Sequence, residues 1–242
     1  MYKKSVKAPL VSIVFPIKYW SKTVDEFYRM INNQVIDCTY EIVTVYSGED
    51  DKIYKKIKSQ STIVKRIPSK DYKCGDTREL TCSLSTGQYI VMVSVDVIPT
   101  SEFWLRNIVK PLVDNEADVV QGKLECPSRT NLNYPNYFFW EKDYGFYFTS
   151  EGLEFYKKYG NFGKFGNFGL AAPNLAFKRD VWENTGFGGV SYNEDNIFQK
   201  RVALKKYKVV YKDDASVFHA HTYKTMGSLF DRCSNEGYGW FE

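Results

Sequence analysis

From residue 10 to about residue 122, short apolar runs alternate with segments whose apolar residues recur every three or four positions. Residues 11–15 are a β-branched and aromatic run ended by Pro16, which reads as a buried strand. Residues 23–33 follow, with Val24, Phe27, Met30 and Ile31 spaced for one face of a helix. A second strand is expected at 41–45, a polar turn at 47–51, a short helix at 51–59 and a third strand at 62–67. Residues 77–86 then read as a helix closed by Gly87 at its C-terminal cap. The most apolar strand is 89–95, followed by a helix at 101–115 and a strand at 118–122. Regular structure resumes with a strand at 174–178, a helix near 193–205, and strands at 208–211 and 216–219.

This alternation predicts an α/β fold, a mostly parallel central sheet flanked by helices on both faces. In such sheets ligands collect beyond the carboxyl ends of the strands, which singles out residues 16–20, 46–51 and 96–99. No internal repeat and no linker interrupts the chain, so residues 1–242 are expected to form a single domain. Between 134 and 168 the composition changes: fifteen of the 35 residues are aromatic, against 17% for the whole chain. That stretch is either a satellite hydrophobic cluster beneath a long loop or a wall that stacks on sugar rings.

Hydrophobic residues make up 43% of the sequence, enough for one sizeable core. The net charge of +4 does not single out nucleic acid as a partner. It would suit an anionic substrate or peripheral association with an acidic membrane surface. The five cysteines are odd in number and contain no Cys-x-x-Cys pair, which excludes zinc-ribbon and redox-motif readings and favours a reduced, cytoplasmic protein. The apolar run at 10–15 is too short for a signal-peptide core or a membrane span. The last residues, 237–242, stop abruptly after an apparent helix, which suggests a missing C-terminal segment.

Four constellations carry candidate chemistry. Asp96 ends a wholly apolar strand at the ligand edge, where a half-buried carboxylate wants a cation or donors; a turn or cap aspartate is the plainer account. Glu194 and Asp195 open a helix, as acids ordinarily do, and one of them facing the cleft would be a general base. His219 and His221, the two histidines of the chain, lie on one face if extended, which fits a metal or anion site as well as two surface histidines. Lys73 and Arg78 precede the apolar strand and could meet phosphate or simply form an exposed charged helix. No Walker loop, Gly-x-Gly-x-x-Gly or Gly-x-Ser-x-Gly is present, which argues against dinucleotide binding and against a serine hydrolase.

Taken in order, these pieces resemble family 2 glycosyltransferases of the GT-A fold, over residues 10–235. The opening Val11-Ser12-Ile13-Val14-Phe15-Pro16 looks like that family's first strand, and the run from Glu41 to Asp50 like its second strand and nucleotide-binding turn. Arg78 sits in a Gly-x-x-Arg setting ahead of the family's metal-motif strand. The stretch with Asp96, Pro99, Trp104 and Leu105 is similar to the rhamnosyltransferase-like branch. Asn174 to Arg179, then Trp182, Gly186-Phe187 and Glu194-Asp195, resemble the second half of the catalytic domain, and Phe218-His219-Ala220-His221 the late histidine segment. Two departures stand out. Ser94-Val95-Asp96 replaces the usual Asp-x-Asp, and Tyr46 stands where an acidic residue commonly reads the base.

The resemblance implies a nucleotide-diphospho-sugar transferase-like single catalytic domain, with a nucleotide-binding half over about 10–122 and an acceptor-binding half over about 123–242. It implies an inverting transfer from dTDP-rhamnose or a UDP-sugar to a saccharide or lipid-linked saccharide, in surface polysaccharide synthesis at the inner face of a membrane. Pro16, Ser47, Glu49, Asp50, Arg78, Ser94 and Asp96 would bind the donor. Asp96 with His219 or His221 would hold Mn2+ or Mg2+. Asp195 would be the base, with Glu194, Asn174 and Trp182 on the acceptor side. A nucleotidyltransferase is a rival, but Pro16-Ile17-Lys18-Tyr19-Trp20 lacks the glycine- and basic-rich loop it needs. A non-catalytic glycan-binding module on the same fold is the second rival; the missing first aspartate leaves room for it and Glu194-Asp195 argues against it.

Overall fold

The computed structural model describes residues 10–125 and 169–219, together with Gly227, Phe230, Asp231 and Ser234. The aromatic stretch 134–168 and His221 lie outside the described residues. Eight strands form one sheet: β1 Val11–Ile17, β2 Tyr40–Ser47, β3 Ile63–Ile67, β4 Tyr89–Val93, β5 Val97–Pro99, β6 Val119–Glu125, β7 Asn174–Lys178 and β8 Val209–His219. Among the described residues six α-helices flank it: α1 Lys22–Asn32, α2 Asp51–Lys58, α3 Cys74–Leu84, α4 Trp104–Val113, α5 Arg179–Thr185 and α6 Glu194–Leu204.

The strand order is β3-β2-β1-β4-β7-β6-β8-β5. β7 runs antiparallel to both β4 and β6, and β5 runs antiparallel to β8; the other pairings are parallel. The expected mostly parallel sheet is therefore present. Connections run outward from β1 through β2 to β3 and then return to β4 on its other side. In open α/β sheets ligands bind beyond the carboxyl ends of the strands at such a reversal, which here falls between β1 and β4.

β1 is apolar without interruption because both of its faces are covered. Val11, Ile13, Phe15 and Ile17 face α1 and α4, packing on Val24, Phe27, Ile31, Trp104, Leu105 and Ile108. The opposite face carries Val14, Ile90, Met92 and Phe177 against Val181, Phe187, Phe198 and Val202 of the segments around α5 and α6. Pro16 does not end β1, which continues to Ile17. Pairing with β4 stops at Val14, while pairing with β2 runs on through Pro16 to Ile17.

Three sequence expectations need adjustment. α3 begins at Cys74 and ends at Leu84, and Ser85 rather than Gly87 closes it, with its hydroxyl donating to Cys82 O. Gly87 is a glycine because a Cβ there would lie 2.8 Å from the Ser12 backbone nitrogen. The two strands expected at 208–211 and 216–219 are one strand, β8. Its register against β6 shifts between Gly122 and Leu124, and the exposed Asp213 and Asp214 fall in that irregularity. α5, a short helix, was not foreseen.

Candidate functional site

α3 packs on β1 and β2, and its N-terminal half receives an anion from the start of α6. Arg78 Nε donates to Glu194 Oε1 at 2.6 Å, and both side chains are buried. A negative charge is favoured there by the helix N-terminus as well. Burial works against the Glu194 carboxylate, but the Arg78 charge and hydrogen bonds from Cys74 and Arg78 outweigh it and hold it below the usual carboxylate range. Burial pushes the Cys74 thiol up to about 11, so it stays protonated and serves as a hydrogen-bonding group. Tyr72 Oη meets Cys74 Sγ at 3.7 Å. Arg78 Nη1 is buried without a hydrogen-bond partner among the described residues, so one guanidinium nitrogen is unspent.

Asp195 follows Glu194 in the first turn of α6. Burial raises its pKa first, and the adjacent Glu194 charge raises it further. Arg78 and backbone donors at Asn196 and Ala172 pull it back, leaving it at about 6. Two neighbouring carboxyl groups are thus driven apart, one held ionised and the other poised to take a proton near neutrality. Asn193 enters the helix in the left-handed region, at φ 59°. Gly186, at φ 59°, and Gly188, at φ 76°, shape the turn before it.

Ser94 to Asp96 form the turn between β4 and β5, closed by Val97 N donating to Ser94 O at 3.4 Å. Val97 is paired with His219 across β5 and β8, which brings His219 Nε2 to 3.4 Å from Asp96 Oδ2. His219 is buried and Asp96 partly open. Two donors at adjacent corners of an octahedral shell, each about 2.1 Å from the ion, lie about 3 Å apart. One oxygen and one imidazole nitrogen at this separation fit a single hard cation. Among the described residues no group of three or more His, Cys, Asp or Glu side chains gathers around such a point.

The β2 end is built differently from the expected carboxylate reader. Tyr46 is buried and folds back so that its hydroxyl accepts from Asp50 N at 3.1 Å. Its ring stacks on Tyr54, and the Arg66 guanidinium lies over both rings. Asp50 caps α2 through Lys52 N and Ile53 N, and Glu49 accepts from Ser69 N. Ser47 is buried, with its hydroxyl donating to Ile17 O at 3.5 Å. Pro16, Ser47, Glu49 and Asp50 thus sit together at the carboxyl ends of β1 and β2. The turn carboxylates hold the turn itself.

Asn174 is wholly buried. Its Oδ1 accepts from Trp104 Nε1 at 3.0 Å, and its Nδ2 donates to Lys123 O and Ala215 O. That amide ties α4, β6 and β8 to β7 and leaves no polar atom for a ligand. Trp182 Nε1 donates to Glu79 Oε2 at 2.7 Å, and its ring lies under Arg179. Lys73, in contrast to Arg78, is exposed and pairs with Asp76 at 3.9 Å. Glu79 and Cys74 carried no signal in the sequence, because each acts on partners distant along the chain.

The profile of glycosyl transferase family 2 matches residues 12–185. No curated protein sequence matches the chain. A solved mannosyltransferase, PcManGT from Pyrobaculum calidifontis in complex with GDP-Man and Mn2+, superposes with a TM-score of 0.64 at 16% identity, over 98% of this chain and 64% of its own. S. aureus TarS superposes with a TM-score of 0.62 at 14% identity, over 91% of this chain and 38% of its own. Its 1–349 fragment in complex with UDP-GlcNAc gives 0.61 at 14%, over 90% and 60%. The chain therefore spans less than two thirds of each of these neighbours, and the likeness is one of fold.

Proposed function

Because the chain belongs to glycosyl transferase family 2, we propose that it is an inverting, divalent-metal-dependent hexosyltransferase. It would move a sugar from a nucleoside-diphosphate donor to a hydroxyl of a saccharide or lipid-linked saccharide acceptor. The observation that carries this reading is the Arg78–Glu194–Asp195 arrangement. It holds two neighbouring carboxyl groups at the start of α6 against α3, one kept ionised and the other raised to about 6.

The chemistry follows from those residues. Asp195, deprotonated above its pKa, takes the proton of the acceptor hydroxyl. The acceptor oxygen bonds to the anomeric carbon as the bond to the diphosphate oxygen breaks, and the configuration inverts. Glu194, held ionised by Arg78, keeps the proton affinity of Asp195 high and orients the acceptor. The unspent Arg78 nitrogen offers positive charge toward the departing diphosphate. Asp96, with His219 or His221, would hold Mn2+ or Mg2+, which would supply Lewis-acid stabilisation to the leaving group. Pro16, Ser47, Glu49, Asp50 and Ser94 mark the carboxyl edge where the nucleoside lies, and Trp182 stands on the acceptor side.

The donor is read as dTDP-rhamnose or a UDP-sugar, in the rhamnosyltransferase-like branch, and the setting as surface polysaccharide synthesis at the inner face of a membrane. GDP-mannose joins the candidates because PcManGT is in complex with it. Among the described residues no helix is long and apolar enough to cross a membrane. The whole chain is read as one catalytic domain, with the donor half over about 10–122 and the acceptor half over about 123–242. A thermal-shift series with UDP-, GDP- and dTDP-sugars, with and without Mn2+, tests the reading, since a ligand of the native state raises the melting temperature. One donor should shift the melt only when Mn2+ is present and be hydrolysed slowly. No shift and no hydrolysis across the series, with tight binding of a glycan, would return the chain to a binding module.

A further inference from the structure

α3 does more than carry Arg78. The next residue, Glu79, uses both carboxylate oxygens on the segment that leads to the acid pair. Its Oε1 accepts from Phe187 N and its Oε2 from Trp182 Nε1, contacts that span 108 and 103 positions of chain. The Phe187 ring stacks on Phe198 of α6, with centroids 4.8 Å apart and planes 14° from parallel. Phe198 lies three residues beyond Asp195 and so projects from the same side of the helix. On the other side of the turn, Arg201 of α6 donates to Thr185 O and Gly186 O. A Cβ at Gly186 would lie 2.6 Å from Glu79 Oε1, so the backbone is closed directly onto the carboxylate. One turn earlier on α3, Gly75 N donates to Val190 O at 3.0 Å, and a Cβ there would meet Gly188 O at 2.2 Å.

We propose that Glu79 is a positioning residue for the Glu194–Asp195 pair. It fixes the 182–187 turn against α3, and the Phe187–Phe198 stack passes that placement to the first turn of α6. The inference rests on the reading of Asp195 as the base. Arg78 and Glu79 thus hold the same pair from two directions, one by charge on Glu194 and the other through the backbone that precedes it. A base displaced by a fraction of an ångström loses rate while the donor site, which lies on other elements, keeps its affinity.

The test is Glu79→Gln, with Trp182→Phe and Asp195→Asn beside it. Release of nucleoside diphosphate from UDP-, GDP- and dTDP-sugars with Mn2+ is followed across pH. Glu79→Gln keeps the shape but turns one acceptor into a donor facing an N–H. It should lower kcat between about tenfold and about a hundredfold. Donor KM should stay within about twofold, and the acid inflection of kcat should move. Trp182→Phe removes one of the two donors and should show the same split to a smaller degree. Wild-type kcat and inflection in a folded Glu79→Gln, with Asp195→Asn inactive, would overturn the role of Glu79 and leave the base reading standing. Normal turnover by Asp195→Asn would overturn both. Should Glu79→Gln fail to fold, an unchanged kcat in Trp182→Phe would overturn the proposal by itself.

Discussion

Arg78 and Glu194 form a buried ion pair that joins the second turn of α3 to the first turn of α6 across 116 positions of chain. Two opposite charges with so little solvent are held by their geometry, and breaking the pair from one side strands the other charge. Arg78→Met should cost about 3–5 kcal/mol of stability. Arg78→Met with Glu194→Leu should cost less than the sum of the two single changes, because the second removes the stranded charge. Urea midpoints of the three variants check this. Additive losses would mean that the pair contributes no coupling.

The neighbouring carboxyl group sets a pH dependence. Asp195 binds its proton more tightly in the fold than in the unfolded chain, at about 6 against an ordinary 3.8. A raised acid contributes stability while it is protonated. That contribution is complete below the unfolded value and is lost as pH rises through about 6. Activity should run the opposite way, because a base in the proposed role must be ionised. Turnover should fall as pH drops through about 6, and Asp195→Asn should abolish transfer while leaving donor binding largely intact. A pH–rate profile of kcat with the identified donor, flat from pH 5 to pH 8, would remove Asp195 from the role.

Much of this was legible because the early strands are apolar runs with helical spacing between them. β1 to β4 and α1 to α4 followed from pattern alone. The pattern failed where tertiary contact chose the residue. Gly87 looked like a helix cap but is dictated by the backbone of Ser12. β8 looked like two strands because Asp213 and Asp214 interrupt its apolar sequence at the register shift. The acids and the first histidine of the candidate site are recognisable in the sequence as residue types. What brings them together was not: Val97 pairs with His219 across strands 122 residues apart in number only by closure of the sheet, and Glu79 reaches a turn more than a hundred residues away. Asn174 read as a ligand contact because a buried amide and an exposed one share the same letter.

Asp96 and His219 make a prediction about metal. With one carboxylate oxygen and one imidazole nitrogen 3.4 Å apart, loss of either would remove one of the two described donors proposed to hold a cation. Asp96→Ala should abolish the Mn2+-dependent part of nucleoside-diphosphate binding in calorimetric titration, and His219→Ala should weaken it. His219→Ala needs a control, because the imidazole is buried and its removal leaves a cavity. Binding of the diphosphate with Mn2+ that is unchanged in Asp96→Ala would sink the metal assignment.

The joint around Asn174 gives a prediction that separates stability from chemistry. Gly122 lies where a Cβ would come within 2.2 Å of Asn174 Nδ2 and 2.5 Å of Ala215 O. The second of these is backbone in β8 and has nowhere to retreat. Gly122→Ala must therefore push Asn174 away from its acceptors or part β6 from β8. Either course combines overpacking with buried amide groups left unsatisfied, for a loss of about 2–4 kcal/mol. In a domain of this size that lowers the melting temperature by roughly 5–10 °C. The acid inflection of turnover should not move, because Asn174 touches neither Glu194 nor Asp195 and its hydrogen bonds go to α4, β6 and β8. A melting temperature equal to wild type would show that the sheet yields at this point. A moved inflection would show that the joint communicates with the acid pair.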